Sequence, residues 1–316
     1  MRNDLYLEKA NRLKEQGKIK ESLNAYYKSI DLASSTSYSD AKHITKVIKQ
    51  AASIATINHT PYKKIVFYTG LGGLCNRLRA LCSYLYLSHH LDIPLLMCWY
   101  PNEACDCYFD ELFEDVCEMI SPQTILRIFN SQESSNILYV DVGKWKRIYE
   151  TYWQQHLDYE TYWQGYLKFI RQMPLKKSIL KKIDIFIEKF WHEDIIGLHI
   201  RRTDLLEHLK SRKLESDYSS NEKFISSIEQ AIADGYSCFF LATDEVSTKT
   251  LIQANFPEKI ISYCQTFDSF QKRQTFVEDA LIDLYLLSKC TKIIGSYHSS
   301  FSRYAANLGN IPLTYP

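Results

Sequence analysis

The sequence contains no long apolar run. None of its hydrophobic stretches approaches the roughly 18 to 20 residues that a membrane-spanning helix needs. The first residues, MRNDLYLEKANRLKEQGK, are charged and have the period of a helix, unlike an export signal. The sequence therefore predicts a cytoplasmic protein without a membrane span.

A large charge of either sign is also missing. The 38 Lys and Arg residues oppose 37 Asp and Glu residues, which leaves a formal net charge of +1. Nucleic acids and anionic membrane surfaces attract strongly basic proteins, so the composition argues against both as partners. A binding site for an anion must therefore be a local group of basic residues.

The cysteines do not indicate a disulfide framework. They number nine and are irregularly spaced, which is typical of reduced, mostly buried thiols. Cys105 and Cys107 form the pair that could suggest a metal, but no second Cys or His pair stands at the spacing of a zinc site. We therefore expect no metal site.

Two short amphipathic helices are predicted within residues 5–33, with a turn at Gly17. They are similar to one tetratricopeptide-type helix pair. Because one pair cannot bury its own apolar face, we expect it to lean on a third helix at about 40–55 or on the main domain. We assign 1–57 to a helical appendage that leaves open a protein partner or a dimer contact, and we place its boundary in NHTPYK, 58–63.

From residue 63 onward short apolar runs alternate with helical segments, which predicts βα units around parallel sheets. Helices are expected at about 74–90, 221–234, 246–254 and 275–288. The apolar runs predicted as strands are KIVFYTG, IPLLMCW, NILYVDV, DIIGLHIR, SCFFLATD, KIISYC, KIIGSY and IPLTY. The predicted fold class is α/β and GT-B-like, with two Rossmann-type lobes and a cleft between them.

These lobes are expected at 63–145 and 193–316, joined by a helical bridge at 146–192. The bridge contains a near-repeat, because YETYWQ occurs at 149–154 and again at 159–164. Its aromatic residues fall at helical spacing and form a stripe: Tyr149, Trp153, His156, Trp163 and Tyr166. The favoured interpretation is a helix packed between the lobes, and the alternative is a platform on which a sugar stacks.

Polar clusters follow four of the predicted strands, and ligands bind parallel sheets at the carboxyl ends of their strands. FYTGLGGLCNRLRAL (67–81) has a glycine turn before a helix, where backbone N–H groups can approach a phosphate or a sugar. GLHIRRTD (197–204) ends a strand with paired arginines, whose planar forks suit a diphosphate. The last two clusters are CFFLATDE (238–245) and EDALIDLYLLSKCTKIIGSYHSSFSRYAANLG (278–309).

In order and spacing, HIRRTD, LATDE, LIDLYLLSKC and SYHSSFSRYAA resemble the donor-binding motifs of the GDP-fucose-dependent fucosyltransferases. The likeness is strongest to the α1,6 group, which includes the rhizobial nodulation enzyme and the animal N-glycan core enzyme, and the protein O-fucosyltransferases are more distant. It covers about 195–309 well and 63–115 loosely. It implies that 63–145 is the acceptor side and 193–316 the donor side.

The resemblance also implies roles for individual residues. Arg201 and Arg202 bind the pyrophosphate and steady the leaving group, and Asp204 belongs to the same catalytic motif. Asp244 and Asp283 contact the nucleoside. The full set of expected donor-binding residues is Gly72, Gly73, Asn76, Arg77, His199, Arg201, Arg202, Asp244, Glu245, Asp283, Ser299, Ser300 and Phe301.

The predicted reaction is an inverting, metal-independent transfer of fucose from GDP-fucose to a glycan or another hydroxyl acceptor, without a cofactor. No DxD triplet occurs in the chain, which agrees with metal independence. The general base stays open among Glu103, Asp106, Asp204 and Glu207. The family's coiled coil and SH3-like domain have no counterpart in the sequence, so the resemblance does not identify the acceptor.

Three alternatives stay open at this point. One is a glycosyltransferase of the same architecture that uses another nucleotide sugar. Another is an inactive sugar-nucleotide or glycan-binding module that is recruited through its helix pair. A dehydrogenase is the third and least favoured, because GLGGLCN lacks the GxGxxG register.

Overall fold

The computed structural model describes residues 2–31, 38–55, 61–131, 134–145, 148, 150, 152–191, 194–203, 219–263 and 275–316. Asp204, Glu207, Tyr149 and the first part of the expected boundary at 58–63 lie outside these residues. The chain divides into two compact units. The first comprises Met1–Phe109 and Asp115–Phe169, and the second comprises Asp110–Glu114 and Ile170–Pro316.

The first unit contains a four-stranded sheet and, among its described residues, six α-helices, of which the last extends into the second unit. Its strands are β1 (Lys64–Tyr68), β2 (Leu95–Cys98), β3 (Glu118–Met119) and β4 (Ile137–Asp141). Its helices are α1 (Arg2–Glu15), α2 (Ile19–Asp31), α3 (Tyr38–Ala52), α4 (Leu74–Leu91), α5 (Pro122–Phe129) and α6 (Tyr159–Arg171). The strand order is β3-β2-β1-β4, and each neighbouring pair is parallel.

The second unit contains a five-stranded sheet. Its strands are β5 (Ile196–Ile200), β6 (Phe239–Thr243), β7 (Ile260–Ile261), β8 (Lys292–Gly295) and β9 (Leu313–Thr314). Its helices are α7 (Lys177–Phe190), α8 (Asn221–Ala233), α9 (Val246–Asn255), α10 (Val277–Leu287) and α11 (Ser300–Gly309). The strand order is β7-β6-β5-β8-β9, again with parallel neighbours.

These two parallel sheets confirm the predicted α/β fold class, and each of the eight predicted apolar runs contains a strand. The strand that the sequence analysis misses is β3, whose two side chains are both exposed and therefore leave no apolar signal. In each sheet the strand order reverses once, between β1 and β4 and between β5 and β8. Such switch points are where open α/β sheets bind ligands.

The N-terminal helices share one hydrophobic core with the first sheet. Gly17 stands in the turn between α1 and α2 with a φ of +72°, as the sequence predicts. Buried residues of α1, α2 and α3, including Tyr26 and Ile48, belong to the same cluster as Val66, Tyr68 and other sheet residues. The helix pair therefore leans on both a third helix and the sheet. The likeness to a tetratricopeptide pair and the domain boundaries stay predictions.

The aromatic stripe of the bridge packs within the first unit. Trp153 and Tyr166 are fully buried, and the Trp153 ring stacks on Tyr86 of α4 with 4.5 Å between the ring centroids. Trp163 is half-buried, and His156 is exposed. These contacts are those of a helix packed on its neighbours, while the role of the more exposed rings stays open.

None of the described helices combines the length and the apolar character that crossing a membrane requires.

Candidate functional site

Arg201 and Arg202 follow directly after β5, at the carboxyl end of the central strand of the second sheet. All five residues of β5 are buried, and the Arg202 side chain is only 7% exposed, whereas Arg201 is half-buried. Burial lowers the pKa of Arg202, and the negative charges of Glu245, Glu222 and Asp244 act in the opposite direction. The strand therefore delivers a largely desolvated cation to the ligand-binding end of the sheet.

Asp244 holds the backbone that carries these arginines. Its Oδ1 accepts a 2.7 Å hydrogen bond from the Arg202 backbone N–H, and its Oδ2 accepts one of 2.7 Å from the Thr203 hydroxyl. Because Asp244 follows β6, the bonds tie the ends of two neighbouring strands together. The family resemblance implies that Asp244 contacts the nucleoside, and the contacts observed here fix the turn after β5.

Asn221 orients the Arg202 guanidinium, and the sequence analysis did not single it out. Its Oδ1 accepts a 3.0 Å hydrogen bond from Nε of Arg202 and a second, short one from Nη2. It is the first residue of α8, behind the N-cap Ser220, whose hydroxyl accepts from the Lys223 N–H. In the sequence, an Asn after a Ser indicates only the start of a helix, so nothing there predicts that Asn221 contacts Arg202.

Ser296 links the two strands at the switch point of the second sheet. Its hydroxyl oxygen accepts from the Arg201 N–H at 2.9 Å and donates to the carbonyl of His199 at 3.2 Å. One residue further, the Tyr297 N–H donates to the hydroxyl of Ser219 at 2.7 Å. The ends of β5 and β8 are thereby fixed where Arg201 leaves the sheet.

The N-terminus of α11 begins just after this point. Ser299 is its buried N-cap and accepts a hydrogen bond from the Phe301 N–H, while Ser300 and Phe301 are half-buried. His298, immediately before the cap, has a φ of 58°, a left-handed conformation that is strained in a non-glycine residue. The first N–H groups of a helix and its dipole favour an anion. An anion bound by these N–H groups would lie at the same carboxyl edge of the second sheet as Ser296.

His199 is a buried neutral residue. Its Nδ1 lies 2.6 Å from Oγ of Ser302, and its ring stacks on Phe301 with centroids 4.6 Å apart. Burial and, to a smaller extent, the positive charge of Arg201 lower its pKa to about 3. The imidazole therefore fastens β5 to α11 and carries no charge at neutral pH.

This buried histidine gives a prediction for acid stability. An unfolded histidine has a pKa of about 6.5 and takes up a proton that the folded protein excludes. The free energy of unfolding should therefore fall as pH drops from about 6.5 toward about 3, by at most about 1.4 kcal/mol per pH unit. The free energy of unfolding of His199→Gln, measured with denaturant at several pH values, should fall less steeply with decreasing pH than that of the wild type. The difference in slope should correspond to close to one bound proton. The exposed His89→Gln serves as the control, and an unchanged slope in His199→Gln would contradict the assignment.

The two remaining acidic residues occupy different helices. Glu245 is the N-cap of α9, and its Oε2 accepts a 2.5 Å hydrogen bond from the Thr248 hydroxyl. Asp283 is buried in α10 with 3% exposure. Hydrogen bonds join Arg201, Arg202, His199 and Asp244 into one network, in which Ser296 lies between His199 and Arg201. The Oε2 bond of Glu245 stays within its own helix start.

The glycine turn of the first unit is organised by Arg77. This side chain is fully buried, and it donates from Nε to the carbonyl of Gly72 at 3.0 Å and from Nη1 to the carbonyl of Tyr100 at 2.8 Å. Gly72 has a φ of +78°, which favours glycine. Gly73 caps α4, which contains the half-buried Asn76. Arg77 therefore supports the turn from inside, and its predicted donor contact stays untested.

Among the residues that the structure describes, no group of three or more His, Cys, Asp or Glu side chains is arranged to hold a metal ion. Cys105 and Cys107 are buried with their sulfurs 3.7 Å apart.

Solved structures of known proteins are similar to the fold of this chain. No protein-family model and no curated protein sequence matches the chain. The structure is similar to the fucosyltransferase NodZ from Bradyrhizobium, with a TM-score of 0.52 and 19% identity over 78% of this chain and 93% of that one.

Two further solved structures extend this likeness. NodZ alpha-1,6-fucosyltransferase soaked with GDP-fucose gives a TM-score of 0.53 and 19% identity over 78% of this chain and 93% of that one. POFUT1 in complex with GDP gives a TM-score of 0.51 and 12% identity over 82% of this chain and 99% of that one. The chain therefore has the fold of GDP-fucose-dependent fucosyltransferases, as the resemblance of its motifs predicts.

Proposed function

We propose that the protein is an inverting glycosyltransferase that moves fucose from GDP-fucose to a glycan or another hydroxyl acceptor. The observation that carries the proposal is the pair Arg201 and Arg202 at the switch point of a parallel sheet, beside the start of α11. A fold similar to NodZ and POFUT1, solved with GDP-fucose and GDP respectively, supports the choice of donor.

In this proposal the pyrophosphate of the donor lies against the two guanidinium groups and the first N–H groups of α11. Asn221 fixes the plane of the Arg202 fork before the donor binds, so little rearrangement is needed. Ser299 and Ser300 start the helix that faces the phosphate. Asp283, with Asp244 and Glu245, is assigned to the nucleoside.

The chemistry requires a cation that is already in place. The acceptor oxygen attacks the anomeric carbon as the bond to the phosphate oxygen breaks, the acceptor proton passes to a general base, and GDP leaves with increased negative charge. Fixed cations directed at that charge stabilise the transition state more than the ground state. Arg201 and Arg202 would supply this stabilisation, which is the reason for proposing that the transfer needs no metal.

The direct test is release of GDP from GDP-fucose, measured with and without saccharide acceptors. We expect turnover that an excess of EDTA leaves unchanged, because the arginines take the place of a metal. UDP- and ADP-sugars serve as controls for the donor. Loss of activity in EDTA that Mn²⁺ restores would contradict metal independence, and donor binding without any turnover would favour the inactive binding module.

A further inference from the structure

The first unit contains a cavity of about 290 Å³ that shares only Gly72 with the residues expected to bind the donor. Three segments form it: α3, the glycine turn after β1, and the loop that follows β2. The lining includes Ala41, Lys42, Thr45, Leu71, Asn102 and Glu103. The cavity therefore lies at the carboxyl ends of β1 and β2, the end of a parallel sheet that binds ligands.

The wall of this cavity is preformed. Asn102 donates from Nδ2 to the Gly70 carbonyl at 3.0 Å, and its Oδ1 accepts from the N–H groups of Ala104 and Cys105 at 2.8 and 3.0 Å. Thr45 Oγ1 lies 2.9 Å from the hydroxyl of Tyr68. Because these polar groups bond to one another, the surface left inside is formed by alanine, leucine and glycine.

The rim of the cavity carries one ion pair. Nζ of Lys42 lies 2.6 Å from Oε1 of Glu103, and the two side chains are 73% and 45% exposed. An exposed pair of this kind contributes only about 0 to 1 kcal/mol to stability. It does place a strong hydrogen-bond acceptor and a strong donor at the edge of an apolar wall.

This combination matches the chemistry of a saccharide. A pyranose ring has an apolar face of C–H groups and an edge of hydroxyls that both donate and accept. Small-ligand sites combine an apolar lining with a few polar groups that fix orientation. A carboxylate and an ammonium on one side of an apolar wall can hold two neighbouring hydroxyls.

We propose that this cavity binds a sugar ring of the acceptor and that Glu103 and Lys42 hold its hydroxyls. That the bound sugar is an acceptor rests on the proposed function, whereas the binding of a saccharide does not. Since α3 supplies Ala41, Lys42 and Thr45, the N-terminal helices would help to select the acceptor.

Two measurements test the site. Saturation-transfer NMR without a nucleotide is run with the methyl glycosides of glucose, galactose, mannose and N-acetylglucosamine. The glycoside that binds is then tested as an acceptor by GDP release from GDP-fucose. For Glu103→Gln we expect weaker saturation transfer and a KM for that glycoside at least about tenfold higher, because a hydrogen bond to a charged group is lost. The stabilisation by GDP should stay unchanged.

Glu114→Gln is the matched control, since Glu114 is also about half exposed and pairs with Lys176 at 3.1 Å. It should leave both readouts unchanged. Equal saturation transfer in wild type and Glu103→Gln, or no glycoside binding to wild type, would contradict the proposal. A fall in kcat at unchanged KM would also contradict it, because that result would make Glu103 the general base. Failure of the proposed function alone would appear as glycoside binding without stabilisation by GDP.

Discussion

Replacing Arg202 with lysine is expected to reduce turnover of GDP-fucose by about 10² or more, although the positive charge is kept. Removing one preorganised donor from a transition state costs about 3 kcal/mol in enzymes where it has been measured. Lysine cannot reproduce the planar fork, and its ammonium cannot make the paired Nε and Nη2 contacts with Asn221. The loss should appear in kcat and kcat/KM measured by GDP release.

The same substitution should change the melting temperature little, because the hydrogen bonds that order the turn use the backbone N–H of Arg202 and the Thr203 hydroxyl. Arg201→Ala should likewise fold and lose nearly all transfer. Arg127→Lys is the matched control, since Arg127 is an exposed arginine of the first unit that donates to the Tyr27 hydroxyl. If Arg202→Lys or Arg201→Ala keeps wild-type turnover, the substituted arginine does not belong to the site.

Deletion of residues 1–55 is expected to prevent the first unit from folding. The three helices supply large apolar side chains to the core of the first sheet, among them Leu23, Tyr26, Ile44 and Val47. Burying one such side chain contributes about 1.5–3 kcal/mol, and a whole domain is stable by only about 5–15 kcal/mol. Removing the helices would expose Val66, Tyr68 and other sheet residues at once. Near-UV circular dichroism and calorimetry of the truncated chain should show the loss.

Point variants separate this effect from a general effect of truncation. Tyr26→Ala removes a fully buried ring whose hydroxyl donates to Asn11, and it should lower stability by about 3–5 kcal/mol, as for other large buried aromatic residues. Leu5→Ala, at a side chain that is 64% exposed, should change it little. A truncated chain that melts at the wild-type temperature would show that α1, α2 and α3 form an independent appendage.

The strands of this fold could be predicted because most of them are short, buried and apolar. KIVFYTG and SCFFLATD each carry a charged residue only at one end, Lys64 and Asp244, and each contains a strand that is almost wholly buried. The helix predicted at 74–90 is observed at Leu74–Leu91, because a glycine turn starts it and a left-handed residue, Asp92, ends it. By contrast, β3 has only two exposed residues and no pattern to recognise.

The candidate site could be predicted only in part, because a motif identifies residues but not their partners. HIRRTD and LATDE mark Arg202 and Asp244, yet the sequence cannot say that the carboxylate bonds to the backbone of the arginine. Asn221 is distant in sequence and looks like an ordinary helix start. The packing partner of the N-terminal helix pair stays open in the sequence for a similar reason, since an amphipathic face does not identify the surface that covers it.

The most direct test of the account is the melting temperature of the whole protein in the presence of nucleotides. A ligand present at about 100 times its dissociation constant adds about 2.7 kcal/mol to the free energy of unfolding. We predict that GDP raises the melting temperature of the wild type, that UDP and NAD do not, and that Arg202→Ala loses most of the GDP effect. Equal stabilisation by UDP, or none by GDP, would contradict the assignment of this site to a GDP-sugar.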